Sequence, residues 1–208
     1  MAISRLNHAV CRVSALWPGS ANHRVSFLPA QRAIWYRVPK VATNSIQRLL
    51  DEHPAVETYP VAGKMNIPSF LCTQWTRFGF VRHPVTRVHS AWKDKVLKSN
   101  FFDLPDALYQ EVQDFDGFLE WLSTLDLQRA EPHVRLQCHL MPTSKMTFIG
   151  KIETLHEDIE RLFRTWQLTP PTLKQANKTP QLADPTQAQE SLIRSLYAAD
   201  FEAFYPRD

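Results

Sequence analysis

The chain has 208 residues, of which 44% are hydrophobic and 22% are charged, so it is long enough for one domain with a buried core and short for two. Its formal net charge of +3 and sequence pI near 8.8 argue against a nucleic-acid-binding surface, because a polyanion requires a larger basic excess. A small anionic ligand fits this charge better.

The cysteines and the amino-terminal segment indicate a compartment. Cys11, Cys72 and Cys138 are odd in number and far apart in the chain, which argues against a disulfide framework and for a reducing environment. Charged and histidine side chains interrupt residues 1–24, so this segment has neither the core of a signal peptide nor a membrane span. We therefore expect a cytoplasmic protein without a transmembrane segment.

Strand-like and helix-like segments alternate in the first half of the chain. RAIWYRV predicts a buried strand over residues 32–38, and NSIQRLLDEH then places its apolar residues on one helix face. VETYPV predicts a second strand that ends at Pro60, and RFGFVR predicts a better one. Pro84 suits the first turn of the helix that follows.

The same alternation continues to the end of the chain. FDGFLEWLSTL predicts a helix capped by Asp114 or Asp116, and MTFIGKI followed by ETLHEDIERLFRTW predicts another strand and helix. QESLIRSLYAADFEAFY predicts a final helix that docks on the core. Between them, residues 169–186 form a proline-rich loop of a length that is often functional or disordered.

This order of elements predicts an α/β fold, a single domain over residues 1–208 with a largely parallel central sheet flanked by helices and residues 1–30 as an N-terminal extension. Ligands of such sheets bind beyond the carboxyl ends of the strands, where the turns 39–45 and 82–90 carry polar residues. The first turn opens a helix, whose free amides and dipole favour an anion. It also offers a cation and hydrogen-bond donors from Lys40, Thr43, Asn44 and Ser45.

Other anion and metal sites find little support. A triphosphate loop reads G-x-x-x-x-G-K-[ST], whereas Lys40 comes first in its turn and no glycine accompanies it. The whole chain has only five glycines, so a glycine-rich cradle elsewhere is not expected. Cys138 and His139 have no second pair at ligand spacing, and we expect no metal site.

Five short stretches, taken in order, resemble a known family. VPKVATNSI is similar to the 5'-phosphosulfate motif of sulfotransferases that use 3'-phosphoadenosine 5'-phosphosulfate (PAPS), and FGFVRHPVTRVHSAW to their 3'-phosphate motif, R-[DE]-P-x-x-R-x-x-S-x-[YW]. EPHVRLQC, FIGKIETLHEDIERLF and NKT ahead of LYAADFEAFY follow. Together they cover roughly Ile34 to Tyr205, and the carbohydrate branch, sulfotransferase family 2, is the most similar.

The resemblance implies a P-loop-kinase-like sulfotransferase fold, PAPS as sulfuryl donor and adenosine 3',5'-bisphosphate as product, without a metal. The residues implied in donor binding are Lys40, Ala42, Thr43, Asn44, Ser45, Arg82, Ser90 and Lys178. Lys40 would also be catalytic, because charge builds on the leaving phosphate next to it. The hydroxyl that contacts the sulfate is Thr43 or Ser45.

Two positions of the 3'-phosphate motif are less clear. By resemblance Arg82 and Ser90 contact the 3'-phosphate, but His83 replaces the acidic residue that is common in the motif. Arg87 is interpreted as an ordinary charge on the helix surface. Lys178 lies in ANKTPQ, which resembles a late segment that closes over the cofactor, although a plain solvated loop is the competing interpretation.

The acceptor side is less well defined. A general base must reach the acceptor hydroxyl. His133 matches a histidine of the carbohydrate branch and is the candidate catalytic base, with a purely structural histidine as the alternative; Glu57 is a weaker candidate. The acceptor is expected to be a carbohydrate, a glycolipid precursor or a small hydroxylated metabolite.

Two other functional classes stay open at this stage. A nucleotide-binding kinase or ATPase of similar architecture would need a triphosphate loop and a magnesium carboxylate, and the sequence shows neither convincingly. A non-catalytic nucleotide-binding domain would be expected to lose its anion motifs, yet Lys40, Arg82 and Ser90 are all present. The sequence favours the sulfotransferase.

Overall fold

The structure is a computed structural model that describes residues 23–61, 74–171 and 184–206. Lys178 and most of the proline-rich loop predicted to cover the cofactor lie outside the described residues, as does most of the expected N-terminal extension. The described chain falls into two compact units. The sheet unit comprises residues 23–38, 42–61, 74–81 and 140–171, and the helical unit comprises residues 39–41, 82–139 and 184–206.

The sheet unit is built on five strands in the order β3-β1-β2-β4-β5. They are β1 (Val25–Leu28), β2 (Ala33–Tyr36), β3 (Tyr59–Pro60), β4 (Thr76–Val81) and β5 (Phe148–Lys151). β2, β4 and β5 pair in parallel, whereas β1 is antiparallel to both of its neighbours, so four of the five strands point the same way. The predicted α/β fold with a mostly parallel sheet is confirmed.

The helices of the described residues belong to one unit or the other. They are α1 (Thr43–Asp51), α2 (Pro84–Lys95), α3 (Asp106–Glu111), α4 (Phe115–Ser123), α5 (Leu155–Thr165), α6 (Gln187–Leu196) and α7 (Ala198–Phe204). None of these helices is long and apolar enough to cross a membrane. A short 3₁₀ helix also spans Gln137–His139.

Helices α1 and α5 belong to the sheet unit, and both bury the face that the sequence predicts. Ile46, Leu49 and Leu50 are the buried residues of α1. Helix α5 contacts β5 and buries Ile159 and Phe163, among others. Spacing of three and four residues therefore identified the inward faces correctly, because it matches the helical period.

The helical unit contains the other five helices. Pro84 occupies the first turn of α2, where its missing N–H costs no hydrogen bond. Of the two predicted caps of α4, the structure selects Asp114, whose carboxylate accepts from the amides of Asp116 and Gly117. Helix α6 contacts both α2 and α4.

Three elements differ from the sequence-based prediction. Residues 25–28, assigned to the N-terminal extension, form β1 inside the sheet. The strand predicted for VETYPV is shorter than expected and contains only Tyr59 and Pro60, where it ends as predicted. The predicted final helix is two helices, α6 and α7, which meet at the buried Tyr197.

Candidate functional site

Lys40 and Arg82, which the sequence places in separate turns, lie side by side in the helical unit. Nη1 of Arg82 lies 3.5 Å from the carbonyl oxygen of Lys40, and Nε of Arg82 donates to Oγ1 of Thr86 at 3.1 Å. Both cationic side chains are half-buried. Two adjacent cations of this kind create a local positive potential that attracts an anion.

The turn that carries Lys40 has a strained backbone. Lys40 has φ 69° and Ala42 has φ 53°, both in the left-handed region. This conformation costs a residue with a side chain roughly 1–2 kcal/mol, so the rest of the fold must hold it in place. Strain of this type is often found at ligand-binding turns, so this turn is a candidate binding site.

Asp94 is the main partner of Lys40, and sequence reasoning missed it. Its carboxylate accepts from Nζ of Lys40 at 3.0 Å, and Nζ of Lys95 and of Lys98 lie 3.4 and 3.1 Å away. Burial lowers the pKa of Lys40, although the hydrogen bond and charge of Asp94 oppose the change. Burial alone would raise the pKa of Asp94, but its bonds to Lys40 and Lys98 and the charges of Lys40 and Lys95 hold it well below its usual range.

The side chains that contact Arg82 and Lys40 lie on one face of α2. Thr86, Ser90 and Asp94 are four residues apart and therefore stand above one another on the same helix face, with about 6 Å of axial rise between neighbours. Thr86 binds Arg82 at one end of this row, and Asp94 binds Lys40 at the other. Ser90 lies between them, half-buried. The four-residue spacing from Ser90 was the signal that could have identified Asp94.

Arg87 is not the surface charge that we interpreted it to be; that interpretation was wrong. Its side chain is only 1% exposed, and its guanidinium donates to three backbone carbonyls. Nε donates to Pro39 at 3.2 Å, Nη1 to Arg135 at 2.8 Å and Nη2 to Pro132 at 3.0 Å. Arg87 thereby ties the residue before Lys40 to the segment around His133.

His133 forms a hydrogen-bonded pair with Glu131. Nδ1 of His133 lies 2.8 Å from Oε2 of Glu131, and the His133 amide donates to the same oxygen at 2.7 Å. The ring of Phe101 lies 5.0 Å from the imidazole and is 43% exposed. A carboxylate on one ring nitrogen fixes the tautomer of a histidine, so proton transfer would use Nε2.

Gln137 and Asp200 form a buried polar network behind Arg82. The side-chain amide of Gln137 accepts from the Arg82 N–H at 3.0 Å and donates to the Arg82 carbonyl at 2.9 Å. Asp200 accepts from the amides of Gln137 at 2.8 Å and Cys138 at 2.9 Å. Neither residue drew attention in the sequence, because they are 63 positions apart and meet only in the fold.

Cys138 is a poor nucleophile and a poor metal ligand. Burial, together with the charge of Asp200 and a hydrogen bond to it, raises the pKa of the Cys138 thiol to about 12. The thiolate, which would be the reactive and ligating form, is therefore scarce near neutral pH. No group of three or more potential metal ligands occurs within residues 23–61, 74–171 and 184–206.

In the sheet unit, the N-terminus of α1 offers backbone amides and a free face. Oγ1 of Thr43 donates to the Val38 carbonyl at 2.6 Å, whereas Asn44 and Ser45 are exposed. The first helical bond is made by the amide of Ser45, which donates to Ala42 at 2.9 Å. The preceding amides have no partner within the helix and are suited to an anion.

Glu57 belongs to the sheet unit and is exposed. Its carboxylate hydrogen-bonds Tyr59 and raises the pKa of that phenol. The role of Glu57 as a base stays a prediction. The same holds for Lys178, which lies outside the described residues.

Comparison with protein families agrees with this geometry. The model described as Sulfotransferase family matches residues 23–206, well over half of the chain. The chain therefore belongs to the sulfotransferase family, in its family 2 branch, and this membership supports sulfotransferase activity. Comparison with curated proteins and with solved structures returned no significant match.

Replacing Arg87 by methionine should destabilise the protein severely. The substitution leaves three backbone carbonyls without their donor, and each buried acceptor that loses its partner costs about 1–3 kcal/mol. We expect the free energy of unfolding in urea, followed by circular dichroism, to fall by about 3 kcal/mol or more.

The matched control is Arg129→Met, since the side chain of Arg129 is 89% exposed. Its unfolding free energy should stay within about 0.5 kcal/mol of the parent protein. Equal unfolding curves for the Arg87 and Arg129 variants would contradict the structural role of Arg87.

Proposed function

We propose that the protein transfers the sulfuryl group of PAPS to a hydroxyl of a carbohydrate or another hydroxylated acceptor. One observation carries the proposal: the Arg82 guanidinium and the Lys40 ammonium contact the two ends of the α2 face that holds Ser90, at Thr86 and at Asp94. PAPS carries two anionic groups, a 3'-phosphate and a 5'-phosphosulfate. A row with a cation at each end and a hydroxyl between them suits such a donor.

On the donor side, Arg82 and Ser90 hold the 3'-phosphate through charge-assisted hydrogen bonds, for which a guanidinium fork is well suited. Lys40 contacts the oxygen that bridges sulfur and phosphorus. The oxygens of the sulfate are held by backbone amides around Ala42 and Asn44 and by the exposed hydroxyl of Ser45. Ser45 is preferred over Thr43 because the Thr43 hydroxyl already donates to Val38.

On the acceptor side, His133 takes the proton of the acceptor hydroxyl at Nε2 while Glu131 holds Nδ1. A bond forms between the acceptor oxygen and sulfur as the bond from sulfur to the 5'-phosphate oxygen breaks, which releases adenosine 3',5'-bisphosphate. The exposed ring of Phe101 beside His133 offers an apolar surface to the acceptor. Because the three cysteines of the sequence are odd in number and far apart in the chain, which favours a reducing compartment, we also propose a cytoplasmic location.

The proposed donor can be tested by thermal unfolding with adenosine 3',5'-bisphosphate and without added metal. At 100-fold its dissociation constant the ligand adds about 2.7 kcal/mol, which corresponds to a rise in Tm of roughly 5–10 °C for a chain of this length. ATP with magnesium should give a smaller rise. Stabilisation by ATP with magnesium and none by the bisphosphate would favour a kinase and contradict the proposal.

Replacing Lys40 by methionine should reduce kcat by about 100- to 1000-fold, because one preorganised donor at the leaving group is lost. Binding of the bisphosphate product, measured by calorimetry, should persist. Lys98→Met is the matched control, since Lys98 contacts the same Asp94 but is 68% exposed. Its kcat should remain close to the parent value; if both variants turn over normally, Lys40 has no catalytic role.

Replacing Asp94 by asparagine should move the alkaline limb of the kcat profile to lower pH. Burial lowers the pKa of Lys40 while Asp94 raises it, and the charges of Lys95 and Arg82 lower it further. Without the carboxylate the pKa of Lys40 falls, so the required ammonium form is lost at a lower pH. Asp103→Asn, at an exposed position, should leave the profile unchanged. If the alkaline limb does not shift in the Asp94 variant, Asp94 does not control the protonation of Lys40 during the reaction.

A further inference from the structure

Arg82 lies in the short segment between a strand and a helix, so its backbone groups belong to neither element. β4 ends at Val81 and α2 begins at Pro84, so Arg82 lies between the last ladder bond and the first helical turn. The side-chain amide of Gln137 instead makes two hydrogen bonds to the backbone of Arg82. It accepts from the Arg82 N–H at 3.0 Å and donates to the Arg82 carbonyl at 2.9 Å.

Gln137 is itself held rigidly. Its side chain has no solvent exposure, and its own amide donates to the carboxylate of Asp200 at 2.8 Å. The side-chain nitrogen of Gln137 lies 3.4 Å from the same carboxylate oxygen. Asp200 is fully buried and also accepts from the Cys138 amide, so its charge has hydrogen-bonding partners on both oxygens.

We propose that Gln137 and Asp200 are positioning residues that fix the direction of Arg82 toward the 3'-phosphate of the donor. The proposal rests on the proposed function, in which Arg82 binds that phosphate. Because Gln137 binds both the N–H and the carbonyl of Arg82, it fixes the backbone from which the guanidinium projects. The buried carboxylate of Asp200, which acts through Gln137 and Arg82, then influences how strongly the protein prefers a nucleotide with a 3'-phosphate over one without it.

A purely structural role for the same network would have a different consequence. Loss of Gln137 would then destabilise the helical unit and reduce the binding affinity for both nucleotides by the same factor. A positioning role instead affects only the part of the ligand that Arg82 contacts. Adenosine 5'-phosphate, which lacks the 3'-phosphate, therefore distinguishes the two roles when it is compared with adenosine 3',5'-bisphosphate.

The experiment measures the dissociation constants of both nucleotides by calorimetry for the parent chain, Gln137→Leu and Arg82→Met. The ratio of the two constants reports the preference for the 3'-phosphate. We expect Arg82→Met to reduce this preference by about 100-fold and Gln137→Leu by about 10-fold, while affinity for adenosine 5'-phosphate changes by less than about 2-fold. The double variant should be no worse than Arg82→Met, because both act through one residue.

Asp200→Asn serves if Gln137→Leu does not fold, since it keeps the shape of the side chain and removes one acceptor. It should reduce the preference in the same direction but less. An unchanged preference in a folded Gln137 or Asp200 variant, or an equal loss for both nucleotides, overturns the positioning role. If Arg82→Met itself keeps the parent preference, the proposed 3'-phosphate site fails, and that result is distinct from failure of the positioning residues alone.

Discussion

The guanidinium of Arg87 lies inside the helical unit and donates to carbonyls of two segments that are far apart in the chain. One contact holds Pro39, next to Lys40, and two hold the segment around His133. A buried cation without these acceptors would be strongly unfavourable, so its burial requires both segments to stay in place. The positions of the candidate donor-binding lysine and of the candidate base therefore both depend on this one buried side chain.

Helix α2 carries the carboxylate that offsets the repulsion among three neighbouring lysines. Asp94 accepts from Lys40 and also faces Lys95 and Lys98, which offsets the repulsion among the three lysines in the folded state. The carboxylate is one helical turn from Ser90, so the same face carries a hydroxyl and a counter-ion. Charge balance and the proposed anion site thus share a single helix face.

Local patterns were sufficient for most elements of the fold. The inward face of α1 and the position of Pro84 follow from helical spacing and backbone chemistry and are as predicted, and the cap of α4 is one of the two aspartates that the sequence proposes, Asp114. The failures differ in kind. β1 pairs with the next strand along the chain, and its short apolar run did not reveal that pairing, whereas the break at Tyr197 involves a hydrogen bond to Val134, 63 positions away.

For the candidate site, the sequence alone indicates which side chains could bind an anion, because motif spacing and turn chemistry are local; Lys40, Arg82 and Ser90 are predicted in this way. The surroundings of these residues depend on tertiary packing. The structural role of Arg87 follows from its burial, and Gln137 contacts Arg82 from 55 positions away in the chain. Burial and long-range hydrogen bonds arise when segments pack, and no periodicity in the chain encodes them.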